Sequence, residues 1–104
     1  MNIGAQKYVA TDQTADIDAA VPARDTLRIM GYNISESTAI PSAATVRIVD
    51  GATAAGATTI AAEQLAASES KAVWFGPRGV DARGGISIDI VSGEVDITIY
   101  YESR

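Results

Sequence analysis

The sequence predicts an all-β fold, a single antiparallel β-sandwich or jelly-roll-like domain of about six to eight strands with an N-terminal arm. Residues 86–99 alternate aliphatic and polar side chains, a pattern typical of strands with one dry and one wet face. From residue 26 onward, short segments of this type recur at intervals of roughly 8 to 12 residues, which favours an all-β domain over a mixed one.

The first segment in chain order is the N-terminal arm, residues 1–24, which precedes the β-sandwich domain at residues 25–104. Thr, Asp, Gln and Ala dominate the arm. A short strand is predicted at 6–10, and 16–21 is either one helical turn or an extended segment. Pro22 biases the residue before it away from the helical region. We expect the arm to be poorly ordered, or to order only against a neighbouring subunit.

The first strand of the domain must change its inward face part-way along. Leu27 and Ile29 share one parity of the alternation, whereas Tyr32 has the opposite parity. A β-bulge at Gly31 would resolve this conflict, because one extra residue reverses the side-chain phase and glycine tolerates the required backbone geometry.

Three further strands are predicted before the last segment, at 45–49, 58–64 and 71–75. Residues 61–67 are rich in helix formers, so a short helix competes with the second of these strands. The regular spacing of the neighbouring elements favours the strand. Residues 78–85 are expected to form an exposed loop that contains glycine.

Residues 86–99 are predicted to form a β-hairpin. Ser92 and Gly93 suit a two-residue turn, and in the register that this turn sets, Ile88 faces Ile97 on an entirely aliphatic face. The opposite face of this predicted hairpin carries Ser87, Asp89, Asp96 and Thr98.

Asp89 and Asp96 would be directly opposite each other in that register, which is unfavourable for like charges. A divalent cation, or a Lys or Arg of a partner, could offset the repulsion. Alternatively, both carboxylates are solvated and repel each other weakly. Because two carboxylates do not form a calcium site without further oxygen ligands, no metal site is assigned.

The sequence contains two pairs of adjacent aromatic residues. The two members of each pair must point to opposite faces of a strand. Phe75 shares parity with Val73 and is predicted to lie in the core, which leaves Trp74 as a candidate contact residue or as packing at the edge of the core. In the second pair the side chain of residue 101 follows the aliphatic face. Tyr100 then points outward and could contact a partner at a rim.

Charge and composition exclude several classes of function. Eight basic and thirteen acidic residues give a net charge of −5, which disfavours binding to a phosphate backbone. No apolar run approaches the roughly 20 residues that span a bilayer, and the N-terminus lacks the pattern of a signal peptide, so we expect no membrane association. The sequence has no histidine and no cysteine. We therefore predict neither catalysis nor a cofactor.

Glycines at 76, 79, 84 and 85 could suggest a phosphate-binding loop, but a strand is predicted after them rather than a helix with a Lys-Ser/Thr start. Tight turns explain these glycines better. Arg78 and Arg83 lie in the same loop. They could bind a carboxylate of a partner, or they could be solvated surface residues.

Several stretches of the last 60 or so residues resemble small virion proteins of tailed bacteriophages. These stretches are 44–51, 71–80, 84–86 and 91–95. The most specific piece is Trp-Phe-Gly-Pro-Arg-Gly, which begins at Trp74 and is followed by the Val-Ser-Gly sequence that begins at Val91. The resemblance implies a structural module of a phage particle.

The resemblance leads us to expect a capsid decoration or cement protein on the outer surface of the head, made in the host cytoplasm. Its partner would be the major capsid protein, with a second copy of the chain as another candidate. A carbohydrate- or host-surface-binding β module of a tail or head fibre is the alternative. The residues expected to contact a partner are Tyr8, Trp74, Arg78, Arg83, Asp89, Asp96 and Tyr100.

Overall fold

A computed structural model describes residues 6–40, 42–56 and 58–103, and in these ranges the protein is an all-β sandwich of two antiparallel sheets. The strands are β1 (Gln6–Gln13), β2 (Ile17–Val21), β3 (Arg28–Glu36), β4 (Ala44–Asp50), β5 (Thr58–Leu65), β6 (Ser70–Trp74), β7 (Val80–Asp81), β8 (Ile86–Ser92) and β9 (Val95–Glu102). The predicted fold class is confirmed, and residues 61–65 belong to a strand rather than a helix.

The strands are divided between a five-stranded and a four-stranded sheet. The five-stranded sheet has the order β1-β9-β3-β6, with the short β7 also paired to β3, and the four-stranded sheet has the order β2-β8-β4-β5. Every connection except β4–β5 and β6–β7 passes from one sheet to the other. Most strand pairings therefore join residues that are far apart in the sequence.

Two strands fall inside the segment that was expected to be an N-terminal arm. β1 pairs with β9 and β2 pairs with β8, so each forms an edge of one sheet. Tyr8 and Ile17 pack against the hydrophobic core, which explains why these segments join the sandwich. Within the described residues, the expected boundary after residue 24 does not separate an arm from the domain. Residues 1–5 of the expected arm lie outside the described residues.

The hairpin predicted for residues 86–99 is wrong, because β8 and β9 lie in different sheets. Ile88 of β8 pairs with Ile48 of β4, whereas Ile97 of β9 pairs with Ile34 of β3. The two residues between β8 and β9 therefore form an arch from one sheet to the other. The predicted alternation is correct, since the isoleucines of both strands are buried in one core cluster.

The β-bulge predicted near Gly31 is confirmed. The pairing of β3 with β9 shifts its register between Ile29 and Gly31, so that Met30 is the extra residue. Ile29 and Tyr32 are consequently both buried in the core, although an uninterrupted strand would point them in opposite directions.

Glu36, at the end of β3, fastens two loops at one end of the sandwich. Its carboxylate accepts hydrogen bonds from the backbone N–H groups of Thr38, at 2.7 Å, and Ser68, at 2.8 Å. Hydrogen bonds from Thr38 and from the Ser68 backbone hold the pKa of Glu36 below its ordinary value of 4.5, because they favour the ionised form.

Candidate binding surface

The outer face of the five-stranded sheet carries two aromatic residues in one row. Trp74 on β6 lies opposite Gly31 on β3, and Gly31 lies opposite Tyr100 on β9. Neighbouring strands are about 4.8 Å apart, so roughly 10 Å separates the backbones of the two aromatic residues. Trp74 is 63% exposed and Tyr100 is half-buried. The outward positions predicted for both residues are confirmed.

The glycine between the two aromatic residues makes room for the indole ring. A Cβ atom at Gly31 would lie 3.1 Å from Cε3 of Trp74 and 2.4 Å from the backbone oxygen of Val73. The indole ring of Trp74 therefore packs directly against the backbone of β3. A side chain at this position would displace the ring, whose remaining surface faces solvent.

Tyr100 is held by a neighbouring amide. Nδ2 of Asn33 donates a hydrogen bond to the Tyr100 hydroxyl over 3.2 Å. Asn33 is exposed and lies in the next row of the sheet, between Thr98 and Ala72. The following four residues form what we call the aromatic platform: Trp74, Gly31, Tyr100 and Asn33.

A charged cluster lies next to the aromatic platform, at the end of the sandwich that holds the loops between β6 and β8. Nε of Arg28 is 3.5 Å from Oδ1 of Asp81, and Nη2 of Arg83 is 4.0 Å from Oδ2 of the same carboxylate. Nη1 of Arg28 also donates to the backbone oxygen of Arg78 over 3.1 Å. We call these four residues the arginine cluster.

A pocket of about 110 Å³ opens beside the arginine cluster. Its lining residues are Asp25, Thr26, Arg28, Asp81, Arg83 and Glu102. The pocket is small and charged. It therefore suits one side chain of a partner better than a large apolar ligand.

The structure brings together four of the seven residues that were expected to contact a partner. Trp74 and Tyr100 belong to the aromatic platform, and Arg78 and Arg83 belong to the adjoining arginine cluster. Tyr8 lies on the same sheet but packs against the hydrophobic core, so it is not part of this outer surface.

Asp89 and Asp96 do not face each other, which corrects the predicted pair of like charges. Their strands lie in separate sheets. Asp89 is opposite Arg47 on β4, whose Nε donates to Oδ2 of Asp89 over 3.1 Å. Oδ1 of Asp96 accepts a hydrogen bond from the backbone N–H of Asp12 over 2.7 Å. The argument for a cation or a basic partner group between the two carboxylates therefore fails.

A hydrogen-bonded trio joins the two sheets along the β5 and β6 edges. The Tyr32 hydroxyl donates to Oε2 of Glu63 over 2.6 Å, and Nζ of Lys71 is 3.4 Å from Oε1 of the same carboxylate. Burial of Tyr32, together with the hydrogen bond and the charge of Glu63, raises the pKa of the phenol above its ordinary value of 10.0. This trio connects the sheets and lies away from the outer face.

Sequence reasoning missed Asn33, Arg28 and Asp81 as parts of this surface. The outward direction of Asn33 follows from its parity once the bulge in β3 is known. Its position beside Tyr100 does not, because 67 residues separate the two in the chain. Arg28 is similarly brought to Asp81 by the pairing of β3 with β7.

In the part of the chain that the structure describes, no three His, Cys, Asp or Glu residues are grouped so that they could hold a metal ion. The described residues also contain no helix with the length and hydropathy needed to cross a membrane. Comparison of the chain with protein-family models, with curated proteins and with solved structures finds no match.

Proposed function

We propose that the protein is a capsid decoration (cement) protein of a tailed bacteriophage. It binds the outer surface of the head and stabilises contacts between major capsid subunits, which are its partner. The sequence resemblance over 71–80 supports this proposal. The observation that carries it is the arginine cluster, in which the backbone oxygen of Arg78, from that same stretch, accepts a hydrogen bond from Arg28.

The arginine cluster is better suited to binding than to folding. The side chains of Arg83 and Asp81 are 70% and 61% exposed. Exposed ion pairs of this kind contribute about 0–1 kcal/mol to stability. When a partner excludes water, however, guanidinium groups can form paired hydrogen bonds with carboxylates, and arginine is enriched among the residues that dominate binding energy.

A decoration protein requires only modest affinity at each contact. Because the head presents many equivalent sites, weak contacts can add up over a decorated shell. Binding to assembled subunits, but not to dissociated ones, also stabilises the assembled state by mass action. A β-sandwich with a charged, exposed end is compatible with such weak, repeated contacts.

Co-sedimentation of the purified protein with undecorated heads tests the proposal. We expect saturable binding that weakens as salt is raised, and heads that resist heat better when decorated. The double variant Arg78→Ala with Arg83→Ala should bind more weakly. Lys71→Ala, which removes a positive charge from the trio that lies away from the outer face, is the control and should bind as the wild type does. Absence of binding at every salt concentration would exclude the proposal.

A carbohydrate- or host-surface-binding β module of a tail or head fibre is the second candidate function. The exposed indole ring of Trp74 beside Tyr100 and Asn33 is the observation that favours it. Electron microscopy of virions labelled with an antibody against this chain distinguishes the two. Label over the shell supports decoration, and label confined to fibres supports the second candidate.

A further inference from the structure

We propose that the aromatic platform binds a neutral oligosaccharide, with sugar rings stacked on Trp74 and Tyr100. This inference concerns the ligand of one surface. It applies whether the protein lies on the shell or on a fibre, and it does not depend on the arginine cluster.

The two aromatic rings are positioned before any ligand arrives. Trp74 is 63% exposed, yet its ring packs against the backbone at Gly31. Tyr100 is held through its hydroxyl by Asn33. A sugar that stacks on these rings would therefore not need to order flexible side chains, which reduces the entropic cost of binding. Stacking itself is favourable because the weakly positive C–H groups of a sugar ring meet the negative face of the aromatic ring.

The spacing of the platform fits more than one sugar ring. One strand lies between the two strands that carry Trp74 and Tyr100, so roughly 10 Å separates their backbones. This span is comparable with the length of a disaccharide. The side chains that flank Asn33 in its own row, Ala72 and Thr98, are small, so an extended ligand can approach the sheet.

Polar groups beside the rings can recognise hydroxyl groups. The Asn33 amide uses one N–H for Tyr100, and an Asn side chain has a second N–H and a carbonyl oxygen. Thr98, which carries a hydroxyl group, lies opposite Asn33 on the next strand. A stacking surface with a few polar groups at fixed positions is the usual composition of a small-molecule site, here on an open face.

The surface carries little charge, which favours a neutral ligand. Trp74, Tyr100, Asn33 and Thr98 carry no charge at neutral pH, and the exposed Lys7, opposite Tyr100 on β1, adds one positive charge at the end of the row. The chain as a whole has a net charge of −5, which repels acidic polysaccharides and nucleic acids. Among ligands that stack on aromatic rings, neutral sugars therefore fit this surface best.

The chain offers a direct measurement, because Trp74 is its only tryptophan. We would titrate the full chain with short, soluble, neutral oligosaccharides of glucose, mannose, galactose and N-acetylglucosamine, and record tryptophan fluorescence. Binding of at least one of them should shift the emission to shorter wavelength and protect the indole from a soluble quencher. No change with any of them, up to their solubility limits, would overturn the proposal.

Variants locate the site by NMR titration with the oligosaccharide that binds best. Trp74→Ala should weaken binding by about tenfold or more, the scale of a lost stacking contact, and Trp74→Phe should recover part of the loss. Tyr100→Ala should weaken binding as well. The control is Val91→Ala, which truncates a side chain that is 60% exposed on the other sheet and should bind as the wild type does.

Three further results would count against the proposal. An acidic oligosaccharide or single-stranded DNA that binds more tightly than every neutral sugar would exclude the stated ligand class. Unchanged sugar affinity in folded Trp74→Ala would place the sugar elsewhere. Loss of binding to heads in Trp74→Ala, with no sugar bound by the wild type, would make the aromatic platform a protein contact. The last result would leave the proposed decoration function intact.

Discussion

Arg47 and Asp89 lie opposite each other on β4 and β8, and Nε of Arg47 donates to Oδ2 of Asp89 over 3.1 Å. The other nitrogens of Arg47 reach the loop at 51–56. Nη1 donates to the backbone oxygen of Gly56 and Nη2 to that of Ala54, over 3.4 and 3.2 Å. One guanidinium group thus compensates the charge of Asp89 and holds the loop against the outer face of the four-stranded sheet.

Replacement of Arg47 by Met is expected to lower the free energy of unfolding by about 1–3 kcal/mol, because Asp89 and the carbonyl oxygens of the loop lose a charged donor. Urea denaturation measures this loss. The control is Arg28→Met, which removes a more exposed ion pair and should change stability by less than about 1 kcal/mol. Equally small losses in both variants would contradict the assigned role of Arg47.

Local alternation predicted which side chains are buried more reliably than which strands are paired. The buried isoleucines of residues 86–99, the outward Trp74 and the bulge near Gly31 all follow from parity along one strand. A hairpin and an arch place the same side chains on the dry face, so parity cannot distinguish them. The choice of an arch depends on β3 and β4, which supply partners for Ile97 and Ile88.

The candidate surface was predictable only in part, for the same reason. Trp74 and Tyr100 were identified because each is an aromatic residue at an outward position of its own strand. Their common row with Gly31 depends on two separate strand pairings. The pair of Asp89 with Arg47 likewise joins residues that are 42 positions apart. Without the pairing, a charged outward residue has no identifiable partner.

The Glu36→Gln variant is expected to be less stable than the wild type at neutral pH and to lose this difference in acid. Hydrogen bonds from Thr38 and from the Ser68 backbone lower the pKa of Glu36 in the folded state below 4.5. Ionised Glu36 therefore favours the folded state above about pH 4.5, and this contribution disappears as the pH falls through the lowered pKa. Urea denaturation between about pH 7 and pH 3 measures the change.

The control for Glu36→Gln is Glu94→Gln, which makes the same change of charge at the same end of the sandwich. Its stability should follow that of the wild type in parallel across the pH range. If the difference in free energy of unfolding between wild type and Glu36→Gln were constant with pH, the ionised carboxylate of Glu36 would not be the group that holds the two loops.

The Tyr32→Phe variant is expected to lose about 1–2 kcal/mol of stability at neutral pH, because the carboxylate of Glu63 loses its buried hydroxyl donor. Burial and Glu63 raise the pKa of Tyr32 above 10.0, so the unfolded chain ionises first as the pH rises. The difference in free energy of unfolding between wild type and variant should therefore become smaller above about pH 10. Denaturation at alkaline pH tests this, with Tyr8→Phe as the control. A similar narrowing in the control would contradict the assignment to Tyr32.

The arch between β8 and β9 can be distinguished from a hairpin by a substitution at Gly93. This glycine has a φ of 85°, which Asn also tolerates in a two-residue hairpin turn. In the arch, however, a Cβ atom at Gly93 would lie 2.6 Å from Cβ and 2.7 Å from Cα of Ala44. Gly93→Asn should therefore lower the free energy of unfolding by about 1–3 kcal/mol, as overpacking does.

Gly76→Asn is the matched control, since Gly76 has a φ of 95° and no heavy atom within 4 Å of an added Cβ. Equal effects of the two substitutions in urea denaturation would contradict the arch, because a hairpin turn would accept Asn as readily as the open loop does.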